Sequence, residues 1–114
     1  MVHGHHRADV RSLYLHRAAL EKLRQEPEQR QACLRLVEQW LAVPDQPAAR
    51  WLVAWREMLT SWPFERLQAV LLDEAGGQTL RQCSPLGPLL TPPERWRVLE
   101  EANRAIATSG GDTP

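Results

Sequence analysis

Apolar residues recur along this chain at intervals of three and four over nearly its whole length, and no stretch alternates as a half-buried strand would. From about Ser12 to Gln25, Leu13, His16, Leu20 and Leu23 fall on one helical stripe, which stops before Pro27. From about Glu28 to Val43 the stripe is Cys33, Leu36, Val37, Trp40 and Leu41, and Pro44 ends it. Asp45 is placed to cap a third helix with Pro47 in its first turn and Trp51, Leu52, Trp55, Leu59 and Trp62 inward. Pro63 opens a fourth, with Phe64, Leu67, Val70 and Leu71 inward and Gly76-Gly77 closing it through a left-handed cap. A short helical turn follows over Thr79–Cys83.

The segment Leu80–Trp96 carries the strongest punctuation. Ser84-Pro85-Leu86-Gly87-Pro88 cannot continue a helix, because each Pro lacks an N–H and pushes the residue before it toward an extended backbone. Thr91-Pro92-Pro93-Glu94 is then a complete helix start, with a Thr cap, Pro at the first position and a Glu able to reach back to the cap's N–H. The helix it opens runs to about Ala107, with Trp96, Leu99, Ala102 or Asn103, and Ile106 on its inner face. Short connections between such helices imply neighbours that run antiparallel. The fold class is therefore all-α, a compact single-domain bundle of five to six helices over residues 12–107. Residues 1–11 read as a flexible His-rich leader and 108–114 as a frayed tail.

With 114 residues the chain can bury about 65% of its unfolded surface, so it needs no staple. Its 14 basic and 14 acidic residues cancel, which removes any global field for nucleic acid or anionic membrane. The distribution is uneven: residues 1–35 carry a local +3 and residues 36–75 a local −3. Solubility alone accounts for a split of that size. Nearly all the basic residues are Arg, as GC-rich bacterial codon usage would produce, so Arg in place of Lys carries little functional weight.

Candidate chemistry is sparse. Cys33 and Cys83 have no metal-ligand spacing, and His3, His5 and His6 lie in the leader without a rigid frame, so no metal or other cofactor is expected. His16 is the one His inside a helix and has no sequence relation to a nucleophile. Asp73-Glu74 and Glu100-Glu101 are adjacent pairs, whose side chains point about 100° apart on a helix. No phosphate-loop or dinucleotide pattern appears, and an enzyme is not expected. With no long apolar run and a polar N-terminus, the chain reads as cytoplasmic, with no membrane partner and reduced thiols. Trp40 and Trp55 read as core, whereas Trp51, Trp62 and Trp96 lie near element ends, where an indole can line a surface.

Taken together, LYLHRAALEKLR, LVEQWL, WLVAWREML and LRQCSPLGPLLTPPERWRVL resemble a family of small bacterial helical proteins over about residues 12–106. Its most specific positions are Leu80, Arg81, Gln82, Ser84 and Pro85, followed by Glu94, Arg95 and Trp96. The resemblance implies an antitoxin-like partner of a toxin, nucleotidyltransferase-like toxins among them. In this chain the loop reads SPLGPLL, without the aromatic that the family pattern carries after the Pro. The expected function is thus a non-enzymatic protein-binding module that neutralises a cognate toxin. The expected face comprises Arg81, Ser84, Pro85, Leu86, Arg95 and Trp96, with Trp51 and Trp62 as further candidates. The alternative is a small DNA-binding regulator, although ERWRVLEEANRA is balanced in charge. Self-association is compatible with either.

Overall fold

Six α-helices and one 3-10 turn make up the computed structural model, which describes residues 3–110 and the side chains of residues 7–108. The helices are α1 (His3–Gln25), α2 (Gln29–Leu41), α3 (Ala49–Ser61), α4 (Phe64–Leu71), α5 (Gln78–Gln82) and α6 (Pro92–Gly110), with the 3-10 turn at Gly87–Leu89. No strand occurs among the described residues. The fold is an all-α bundle.

Two helix pairs form its frame. Helices α2 and α3 are a hairpin, and α1 packs along α6. The second pair is antiparallel, since Arg11 near the start of α1 bonds Asn103 and Lys22 near its end bonds Glu94. The short helices α4 and α5 touch α1, α5 also touches α3, and between them they join the two pairs. Leu20, Leu23, Cys33, Val37, Leu52, Trp55, Leu67, Leu71 and Leu86 share one core, the convergence that the stripes on successive helices require. Trp55 is fully buried and its indole N–H donates to the Leu80 carbonyl at 2.9 Å, so its one polar atom is satisfied. Trp40 packs on the margin of this core, and Leu99 is half-buried beside the cleft described below.

Helix α1 begins at His3 and not at Ser12, so the backbone of residues 3–11 is helical where a flexible leader was expected. This stretch lacks an acidic first turn and a local start signal. Its support is tertiary: Asp9 is bonded to Arg81 and Arg11 to Asn103. At the other end α6 runs through Gly110, three residues into the expected tail, while residues 111–114 lie outside the described residues.

Two expected caps are replaced by other devices. Asp45 adopts φ 54°, a left-handed turn conformation, and does not cap α3. The neighbouring Gln46 takes over, its amide donating to the Trp40 carbonyl at 3.0 Å and its oxygen accepting from the Ala48 N–H at 3.3 Å. Likewise α4 stops at Leu71, five residues before Gly76-Gly77, and neither glycine is left-handed. Gly77 is needed for room: a Cβ there would sit 2.5 Å from the Val70 carbonyl oxygen and 2.7 Å from Arg81 Nη1.

The start of α6 is the one read from sequence. Glu94 accepts from the Thr91 N–H at 2.8 Å, and the Thr91 hydroxyl accepts from the Glu94 N–H at 3.3 Å, the reciprocal capping box. Glu94 also accepts from Lys22 at 2.8 Å. The Lys22 bond, then the Thr91 N–H, hold the Glu94 carboxyl down at about 2, against an ordinary 4.5. A carboxyl depressed in the folded state stabilises the fold above its unfolded pKa, and that contribution fades as pH falls from 4.5 toward 2. Glu94→Gln is therefore expected to flatten the acid limb of a circular-dichroism pH titration within this window. An unchanged limb would show that other carboxylates set it.

Candidate functional site

Arg81 is the organising side chain, and it faces inward. It is 4% exposed. Nη1 donates to the carbonyls of Leu71 at 2.7 Å and Asp73 at 2.9 Å, while Nη2 donates to the Glu74 carbonyl at 2.9 Å and to Asp9 Oδ1 at 2.7 Å. One guanidinium thus satisfies the free carbonyls at and beyond the end of α4 and anchors the start of α1. Pro85 and Leu86 are buried with it. These three residues of the expected binding face are inside because the Pro-braced loop turns its apolar side into the core. Arg81 pairs with Asp9, and Glu94 pairs with Lys22.

The other side of this loop borders a cleft of about 380 Å³ between α1, the loop and the start of α6. Helix α1 supplies Ala8, Arg11, Ser12, Leu15, His16 and Ala19, one helical stripe at spacings of three and four. Helix α5 brings Arg81, the loop Ser84 and Leu86, and α6 Arg95 and Leu99. The lining therefore holds three guanidiniums, an imidazole and no carboxylate. Ser84 is partly spent, its hydroxyl accepting from the Leu86 N–H at 3.1 Å.

His16 is 8% exposed. Burial lowers its pKa, the Ser12 hydrogen bond opposes that, and the charge of Arg81 adds to the lowering. The ring is neutral at neutral pH. Its Nδ1 lies 2.8 Å from the Ser12 carbonyl oxygen, which can only accept, so Nδ1 carries the proton and Nε2 presents a lone pair. Nε2 has no hydrogen-bond partner, and neither has Arg81 Nε. Sequence spacing singles out His16 as a helical His, but nothing in it foretells that Arg81 and Arg95 join it around one cavity.

Of the remaining expected site residues, Trp96 is the most exposed large apolar side chain, at 66%. The inner stripe of α6 is centred on the fully buried Ala102, and six residues back along a helix is a rotation of about 120° away from it. Trp96 therefore points to solvent, not into the core. Arg95 is exposed and lines the cleft. Trp51 is exposed with the Arg50 guanidinium 5.2 Å from its ring, and Trp62 is half-buried beneath Arg66 at 3.9 Å. The two lie at opposite ends of α3, apart in sequence from the Arg95–Trp96 face.

Burial pushes the Cys33 thiol up to about 11 and also raises that of Cys83, so both sulfurs stay protonated at neutral pH and are poor nucleophiles. Among the described residues no three His, Cys, Asp or Glu side chains are grouped to hold a metal. The side chains of His3, His5 and His6 lie outside the described residues. No described helix is long and apolar enough to cross a membrane. Comparison with protein-family models, curated proteins and solved structures gives no match.

Proposed function

We propose that this chain works by binding a partner protein, as the antitoxin of a toxin–antitoxin pair, and that Trp96 is its anchor. The observation that carries this reading is an indole two-thirds exposed on a helix whose start is fixed by a capping box and the Lys22–Glu94 pair. A rigid aromatic loses little conformational entropy on binding, and Trp and Arg dominate the residues whose truncation weakens protein interfaces. Arg95 beside it, with exposed Pro92 and Pro93 one turn back, completes an apolar patch with a charged margin. Toxin neutralisation comes from the sequence resemblance; the exposed face supports binding in general. A DNA-reading helix has less support, since Glu100 and Glu101 are exposed on α6 alongside Arg97 and Arg104.

The test is co-expression with the adjacent reading frame, capture of the complex and titration of variants. Trp96→Ala is expected to weaken the complex by at least about tenfold, an effect of roughly 1.4 kcal/mol or more. Its circular dichroism and Tm should stay at wild-type values, because the side chain contributes little to the core. Full retention of affinity would move the interface elsewhere, and failure of any neighbouring product to bind would remove the antitoxin reading.

A further inference from the structure

The cleft between α1 and the start of α6 shares Arg95 with the proposed docking face, but it has a chemistry of its own. Its charged lining is Arg11, Arg81 and Arg95, with no carboxylate. Asp9, the nearest acid to Arg81, is engaged by Nη2 and is not part of the lining. Among the described residues neither Arg11 nor Arg95 belongs to an ion pair. Like charges gathered around a concave, partly apolar space repel one another unless an anion sits among them.

The hydrogen-bond inventory sharpens this. Arg81 has five N–H donors, and the four on its terminal nitrogens are taken by three carbonyls and Asp9. The fifth, on Nε, is buried without a partner. His16 Nε2 is the second unpartnered buried nitrogen, and it is an acceptor because Nδ1 holds the ring proton. Leaving such groups unpaired inside a protein is costly, and native sites that do so commonly complete the set with a ligand. A ligand that completes the set accepts from guanidinium N–H groups and shares a proton with the imidazole.

We propose that the cleft is a binding site for a phosphate monoester. A carboxylate supplies the acceptors and lacks the donor. A free amino acid has a donor, but its ammonium would enter a ring of guanidiniums. A phosphate monoester, with a second pKa of about 6, can share a proton with His16 Nε2 while its anionic oxygens face Arg81 Nε, Arg11 and Arg95. The cavity of about 380 Å³ is larger than a phosphate alone, and its walls at Leu15, Leu86 and Leu99 are apolar. The organic part of the ester is therefore about one ring in size.

Phenyl phosphate is the probe, titrated calorimetrically at pH 7 and low salt against the full chain, with inorganic phosphate and benzoate in parallel. Phenyl phosphate should bind more tightly than either. Arg95→Ala and Arg11→Ala should each weaken it by about tenfold or more, with wild-type circular dichroism, whereas Arg104→Ala should leave it unchanged. The ¹⁵N resonance of His16 Nε2 should move on binding. Absence of binding, equal affinity for benzoate, or indifference to both Arg11→Ala and Arg95→Ala would overturn the proposal. These readouts involve no partner protein, so they stand or fall separately from the antitoxin reading.

Discussion

Replacement of Arg81 by alanine is expected to remove about 3–5 kcal/mol of folding stability, a large share of the roughly 5–15 kcal/mol that a domain usually has. The side chain is buried, and its loss strands the carbonyls of Leu71 and Glu74, leaves that of Asp73 with the Gly77 N–H alone, and deprives Asp9 of its counter-charge. Each buried polar group left unpaired costs about 1–3 kcal/mol before any repacking. Lysine is no substitute, since its three donors radiate from one point and cannot serve four acceptors on two sides. Asp9→Asn should cost less, because that side chain is 22% exposed and water can reach it. Urea unfolding followed at 222 nm measures all three. A loss below about 1 kcal/mol for Arg81→Ala would mean that the stretch after α4 holds its shape without the clamp.

Trp55→Ala is expected to cost a comparable 3–5 kcal/mol, by a different route. The indole is fully buried where α3 meets α5, so alanine leaves a cavity lined by residues of several helices. Trp55→Phe separates volume from hydrogen bonding. It keeps most of the packing but leaves the Leu80 carbonyl with only the weak Cys83 thiol donor at 3.8 Å, for a cost of about 1–3 kcal/mol. Equal losses for the two variants would show that the hydrogen bond dominates and that packing contributes little.

The helices were legible from the sequence wherever local chemistry decides them. The stripe of α2, the capping box of Thr91 and Glu94, and the burial of Cys33, Trp55 and Leu67 all follow from spacing and residue type. Residues 3–11 were not legible as helix, because what holds them are Asp9–Arg81 and Arg11–Asn103, partners far away in the chain. The same holds for the end of α4, where a distant guanidinium does the work expected of a glycine. The expected binding face was half legible. Composition pointed to Arg81, Pro85, Leu86, Arg95 and Trp96 as one unit, but the direction of each side chain depends on where the loop turns. The loop divides that unit into a buried clamp and an exposed anchor. The cleft was invisible, since its charges come from three separate segments.

Both Asp9–Arg81 and Lys22–Glu94 span 72 positions, so α1 is bonded to segments that the ribosome makes much later. At about 5–20 residues per second, about 4–14 seconds separate the appearance of each residue from that of its partner. During that interval Leu20 and Leu23 have neither α6 nor the loop to cover them, while α2 and α3 can close on each other as a local hairpin. The order of assembly is thus the reverse of the order of synthesis for the outermost helix. A nascent chain released before residue 92 would expose the part of the α1 stripe that α6 covers and become a substrate for chaperones and proteases.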